Sequence, residues 1–175
     1  MKIICLSGKA GAGKDTAALC MKNLLEDKQR CVLITHYADL LKYICKSFFG
    51  WDGKKDENGR SLLQKVGTGA VRSRNPDYWV DFLIGIFDMF GERWDYVLIP
   101  DCRFPNEVSR LIDCSFDVVT VNVIRAGTFS VLTGKQKNHI SENAMDTFAF
   151  DYTINNYGTI EDLKNEIEKF ICELD

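Results

Sequence analysis

Short apolar runs recur along this chain, separated by stretches whose apolar residues return every three or four positions. Residues 2–6 (KIICL) have no polar alternation and predict a strand buried on both faces. Helical spacing follows over 15–27, and a second apolar run over 31–35 predicts another strand. Asp39 predicts an N-cap before a helix over 40–49. Residues 50–59 are polar and glycine-containing and predict a loop. Helical periodicity then covers 61–71 and 77–90, the second opened by Pro76. Strands are predicted over 96–99, 118–124 and 152–154, with helices over 105–112 and 159–173. Residues 126–150 are long and irregular, with scattered lysines. Strands alternating with helices predict an α/β fold, a parallel sheet flanked by helices on both faces. Ligands of such sheets bind at the carboxyl ends of the strands. No repeat or linker divides the chain, so residues 1–175 are expected to form one domain.

Composition narrows the class. Apolar residues make up 46% of the 175, enough for a core. The net charge of −3 includes no basic block, which argues against nucleic acid as a partner. No apolar run approaches the roughly 20 residues that span a bilayer, and no signal sequence precedes the first strand, so no membrane association is expected. Seven cysteines at irregular spacing fit small buried hydrophobes in a reducing compartment, hence a cytoplasmic protein without structural zinc. Cys102 stands apart because it lies between two candidate site residues.

The candidate chemistry begins at Gly8-Lys9-Ala10-Gly11-Ala12-Gly13-Lys14-Asp15-Thr16. Strand, glycine loop, lysine and helix form the layout that binds nucleotide phosphates. Glycines turn successive backbone N–H groups around an anion, and the helix adds the positive end of its dipole. Lys14 supplies a mobile charge for the β- and γ-phosphates. The usual hydroxyl after the lysine is replaced by Asp15, and Thr16 carries it one position later. Further along, 96–99 is an apolar strand followed by Pro100 and Asp101. An acid there orients Mg²⁺ or contacts substrate; a helix cap is the plainer alternative. Arg103 and Glu107 follow it. Arg125 ends the next strand, where its planar fork suits phosphate; a surface arginine is the alternative.

Several blocks, in order, resemble the phage-type deoxynucleoside monophosphate kinases. They are Ser7 to Thr16, Leu63-Gln64-Lys65-Val66-Gly67-Thr68, Tyr78-Trp79-Val80, Ile99-Pro100-Asp101-Cys102-Arg103 with Glu107, His139-Ile140-Ser141-Glu142, and Asp151 to Leu163. The resemblance implies the P-loop fold of nucleoside monophosphate kinases and transfer of the ATP γ-phosphate to a nucleoside monophosphate, with Mg²⁺. It places Gly11, Ala12, Gly13, Lys14, Asp15 and Thr16 around the donor phosphates, with Thr16 the hydroxyl nearest the metal. Asn156 and the turn after the last strand would border the adenine. The acceptor side would run through the helical stretch 39–90. Lys42, Arg60, Gly67, Thr68, Trp79, Asp101, Arg103 and Glu107 would hold the monophosphate. Lys14, Asp101 and Arg103, with Arg125 from its place at a strand end, would carry the catalytic charge. A solvated helix face remains open for Lys42, and a core anchor for Trp79. Arg72 and Arg74 lie near this pocket without a clear family position.

The irregular stretch 126–150 reads as a lid in which Lys135, Lys137 and His139 close over the phosphates and exclude water. A packing histidine tied to Glu142 is the alternative for His139. Where this chain has a brief loop before 61–71, the phage enzymes carry a long insertion that shapes the monophosphate side and subunit contacts; a homodimer stays open. Dephospho-coenzyme A kinases share features of the last strand and helix, and phosphomevalonate kinases a Gly-Lys-Asp loop. A nucleotide-dependent ATPase or switch without an acceptor is the more distant alternative.

Overall fold

The computed structural model describes residues 1–125 and 139–174. Five parallel strands form one sheet in the order β2-β3-β1-β4-β5. They are β1 (Lys2–Ser7), β2 (Val32–Ile34), β3 (Tyr96–Ile99), β4 (Asp117–Ile124) and β5 (Tyr152–Asn155). The register sets Cys5 beside Ile99 on one side and Thr120 on the other, so β1 is central.

The unbroken hydrophobicity of residues 2–6 follows from that position. Side chains alternate along a strand, and both faces of β1 are covered. Ile4 and Leu6 face α1 (Lys14–Asp27) and the last helix, while Ile3 and Cys5 face the opposite layer. Each fully buried isoleucine or leucine contributes about 1.5–3 kcal/mol. The second layer holds α2 (Ala38–Phe49), α4 (Tyr78–Phe90) and α5 (Pro105–Asp113), with Trp79, Leu83 and Phe87 packed on Val97 and Ile99. Helices therefore flank both faces, as the alternation predicts.

Between α2 and α4 runs α3 (Glu57–Gln64), which continues without a break into a π-helical stretch, Lys65–Arg72. A small core of Cys45, Trp51 and Val66 holds this flap to α2. A four-residue helix, α6 (Ile140–Asn143), precedes β5, and α7 (Ile160–Leu174) closes the fold.

Two helix starts depart from the sequence expectations by more than one residue. The helix predicted over 61–71 begins at Glu57, because the Asp56 carboxylate accepts the Gly59 N–H at 2.8 Å and caps it earlier. Asp39 is not the N-cap of α2. It lies in the first turn and accepts the His36 N–H at 3.1 Å, while the helix start is capped from elsewhere, as described below.

Candidate active site

The glycine loop leaves the carboxyl end of β1 at the centre of the sheet. Its shape requires glycine at two positions in particular. Gly8 has φ +140°, and a Cβ there would lie 2.3 Å from the carbonyl oxygen of Val123 on β4. Gly13 has φ +93°, and a Cβ would lie 2.4 Å from Asn156 Nδ2. Asn156 is buried and donates from Nδ2 to the Ala12 carbonyl at 2.9 Å. Its Nδ2 is thus engaged with the loop's backbone.

Lys14 opens α1 with its side chain 8% exposed. Its Nζ donates to the carbonyls of Gly8 (2.6 Å) and Lys9 (3.1 Å). Burial, aided by the nearby Arg103 charge, lowers its pKa to about 8. An incoming phosphate would supply the negative charge that this ammonium lacks.

Asp15 and Thr16 are exposed in the first turn of α1. Asp15 Oδ1 meets His36 Nε2 at 2.9 Å. That hydrogen bond holds the carboxyl below its ordinary pKa and the imidazole above its own. The other ring nitrogen of His36 lies 3.3 Å from Asp39 Oδ2, and Asp39 Oδ1 accepts from Lys42 Nζ at 2.7 Å. Carboxylates at both ring nitrogens favour the protonated imidazole, the direction in which its pKa moves. His36 lies just past the end of β2. The strand-end rule used for Asp101 and Arg125 also reaches it, but the expected site omitted it.

A cavity of about 580 Å³ opens beside the loop, over the ends of β1 and β3. It brings together every residue expected on the acceptor side. Lys42 stands on its α2 wall; Arg60, Gly67 and Thr68 stand on the flap; Trp79, Asp101, Arg103 and Glu107 close the rest. Lys14 and Asp15 line the same space. Trp79 is also a core residue, 3% exposed, and its indole N–H donates to the Gly67 carbonyl at 3.2 Å. Gly67 permits the flap's approach, since a Cβ would meet Leu41 Cδ2 at 2.7 Å. Arg60 Nε donates to the Lys55 carbonyl at 2.9 Å.

Asp101 does at least one thing the plainer alternative foresaw. Its Oδ1 accepts from the Tyr37 N–H (2.9 Å) and its Oδ2 from the Ala38 N–H (3.0 Å). It caps α2 from a different strand, which explains why that helix starts before Asp39. Glu107 is 1% exposed and accepts the backbone N–H groups of Arg103 and Phe104. It pairs with Arg72, whose guanidinium lies over the Phe104 ring at 4.1 Å. Burial raises Glu107 to about 7, against the pull of Arg72 and the two N–H groups. Arg72 is therefore a structural partner of Glu107 inside the cavity, a role its sequence position did not reveal.

Arg103 pairs with Glu142 and donates to the Ser141 carbonyl at 3.1 Å. Lys9 reaches the same segment, donating to the Glu142 carbonyl at 2.8 Å and pairing with Asp146. Loop and strand end thereby hold α6 over the phosphate loop. Arg103 and Glu142 also line a second cavity of about 490 Å³, over the ends of β1 and β4, where Ala12 and Arg125 lie. Arg125 thus faces the donor-loop side and not the acceptor cavity. His139 caps α6 through Nδ1, near Ser141 Oγ (2.8 Å) and the Ser141 N–H (3.2 Å); its hydrogen bonds go to Ser141, while the Glu142 charge lies close enough to act on the imidazole. Lys135 and Lys137 lie outside the described residues.

Cys102 is buried, and hydrogen bonding with Cys5 and burial push its thiol well above the ordinary value, so it is no nucleophile. All seven cysteines are free thiols, though Cys31 and Cys172 are exposed. Among the described residues, no cluster of three or more His, Cys, Asp or Glu side chains could cage a metal, and no helix is long and apolar enough to cross a membrane.

Known proteins place this architecture. The M. tuberculosis APS kinase, solved with AMPPNP and APS, superposes with a TM-score of 0.54 at 12% identity, covering 97% of this chain and 96% of that one. The shikimate kinase of Bacteroides thetaiotaomicron gives 0.55 at 13%, covering 99% and 98%. Both show the P-loop kinase fold. In sequence, the chain is 30% identical over 114 residues to the deoxynucleotide monophosphate kinase of Escherichia phage RB69, and 29% identical over 111 residues to that of Enterobacteria phage T4. These matches take in 64% and 62% of this chain but only 44% and 43% of the relatives, so the chain spans less than half the length of the curated relatives it matches. Residues 38–167, which run from the first residue of α2 through β5 into α7, match the family model described as deoxynucleotide monophosphate kinase, and the chain belongs to that family.

Proposed function

We propose that this protein transfers the γ-phosphate of ATP to a deoxynucleoside monophosphate. The observation that supports the reading is the cavity itself: the loop with Lys14 opens directly onto a space lined by Lys42, Arg60 and Arg103, which would let donor and acceptor phosphates meet beside one buried lysine.

The chemistry needs no protein nucleophile. An anionic oxygen of the acceptor monophosphate forms a bond to the γ-phosphorus, and the bond to the bridging β,γ-oxygen breaks, releasing ADP. The transition state spreads charge over the transferring oxygens, and the protein supplies position and positive charge. Lys14 leaves the carbonyls of Gly8 and Lys9 for the donor phosphates. Arg60 holds the acceptor phosphate. Arg103, between the two cavities, faces the group in flight, and Arg125 supports the donor side. Trp79 and the flap around Gly67 and Thr68 wall the acceptor. Asp101 positions α2, and so Lys42, by capping it.

Mg²⁺ bound with ATP would neutralise phosphate charge. The donor set fits a weakly held, water-rich ion: Thr16 offers a hard oxygen in the right turn, whereas Asp15 is engaged by His36 and Asp101 by α2. The free thiols support a reducing, cytoplasmic setting.

The test is a coupled assay of ADP formation with ATP, Mg²⁺ and each of the four deoxynucleoside monophosphates, beside dephospho-coenzyme A, with Lys14→Met as control. Turnover with at least one monophosphate, lost in Lys14→Met, supports the reading. ADP release that ignores every monophosphate, or that responds to dephospho-coenzyme A alone, overturns it.

A further inference from the structure

Arg60, Gln64, Thr68 and Arg72 stand four residues apart on one continuous helix, and all four line the acceptor cavity. In a regular α-helix that spacing would drift. At 3.6 residues per turn, each four-residue step overshoots a turn by about 40°, so Arg72 would end far around the helix from Arg60. The switch to π-helix at Lys65 reverses the drift. Its i→i+5 bonding makes the turn wider than four residues, so the later steps fall short of a full turn. The π stretch thereby keeps a four-residue polar row facing one space.

The two ends of this row have protein partners. Arg60 is anchored through Nε alone, which donates to the Lys55 carbonyl and leaves its terminal nitrogens for a ligand, and Arg72 is fixed by Glu107 and the Phe104 ring. The middle differs. Among the described residues, neither the amide of Gln64 nor the hydroxyl of Thr68 has a protein hydrogen-bond partner, and each is half-buried at the cavity wall. Leu41, Leu63, Trp79 and Phe104 line the same cavity, the last with the Arg72 guanidinium over its ring. A primary amide set among aromatic and aliphatic surfaces suits a planar heterocycle with a donor beside an acceptor on its edge.

We infer that Gln64 reads the edge of the acceptor's nucleobase and so sets base preference, with Thr68 beside it. The inference rests on the kinase reading above and adds the residue that decides among acceptors. The geometry follows from the row itself. Arg60, one turn before Gln64, takes the phosphate through its terminal nitrogens, so the base extends along the flap past Gln64. An amide offers one donor and one acceptor to that edge. Replacing it by a carboxylate leaves only acceptors, which match the adjacent N1–H and N2–H donors of guanine. The same carboxylate faces the carbonyl oxygens that flank N3–H in thymine.

The experiment compares kcat/KM for dGMP and dTMP in the full chain, for wild type, Gln64→Glu and the near-isosteric Gln64→Met. ATP KM and circular dichroism check that each variant keeps its fold and donor site. The ratio of dGMP to dTMP use should rise at least about tenfold in Gln64→Glu and move toward unity in Gln64→Met. A ratio unchanged in both variants, or shifted toward dTMP in Gln64→Glu, overturns the inference. If wild type uses no monophosphate at all, the kinase reading fails instead, so the two failures are distinct. Should both variants lose their fold, Thr68→Val supplies the second reading: a preference unchanged there overturns the inference, and a changed one sustains it.

Discussion

Asp15 and His36 meet at 2.9 Å across the mouth of the cleft, and through them the first turn of α1 is tied to the turn that opens α2. One helix carries the phosphate loop, and the other walls the acceptor cavity. The tie is thus a strut between the donor and acceptor sides, made of two groups that titrate.

Its pH dependence has a definite sign. His36 is raised in the folded state, so its contribution is complete below the ordinary value near 6.5 and fades as pH climbs through the raised one. Asp15 is lowered, so its contribution is present above the ordinary carboxylate value and is lost as pH falls through the lowered one. The melting-temperature gap between wild type and His36→Gln should therefore be largest near pH 6 and shrink by pH 9. A gap that widens with alkali would contradict the imidazolium geometry.

The same bond ranks the two candidates for the metal. Asp15 is occupied by His36, and Thr16 is not held by it. Thr16→Ala should raise the Mg²⁺ concentration needed for half-maximal turnover more than Asp15→Asn does. A Mg²⁺ titration of both variants at saturating ATP decides the order. Full activity in EDTA would remove the metal from the mechanism.

Two arginines should separate kinetically. Arg60 touches only the acceptor cavity, and a charged hydrogen bond of this kind contributes about 1.5–3 kcal/mol. Arg60→Ala should lower acceptor kcat/KM at least about tenfold and leave ATP KM nearly unchanged. Arg103 lines both cavities, so Arg103→Ala should lower kcat even when both substrates saturate. A pure acceptor-KM effect from Arg103→Ala would return it to the acceptor side alone.

A pair of glycines gives a stability test. In Gly8→Ala the new methyl meets the backbone oxygen of Val123, and φ +140° is strained for any side chain. The expected cost is about 1–3 kcal/mol or more, seen as a lower melting temperature. Gly85 lies inside α4 and a Cβ there would meet nothing within 4 Å. Gly85→Ala should stabilise by about 0.5–1 kcal/mol. If both changes were neutral, the contact between loop and β4 would be wrong.

The strands, the phosphate loop and Lys14 were legible in the sequence because their causes are local. A strand buried on both faces must be apolar at every position, and a loop with positive φ must use glycine. Asp101 and Arg103 were legible from the end of an apolar strand and the other acceptor residues from the family resemblance, and the fold gathers them around one cavity. What each side chain does there was decided by contacts between residues far apart in sequence. Asp101 caps a helix more than sixty residues before it, Arg72 pairs with a buried Glu107, and Asn156 braces Ala12. The strand-end rule reached His36, but its partners Asp15 and Asp39, like the π-helical row, escaped the sequence for the same reason. An ion pair, a remote cap or an altered helical turn depends on which surfaces packing brings within about 3 Å, and hydrophobic period and motif spacing carry no record of that distance.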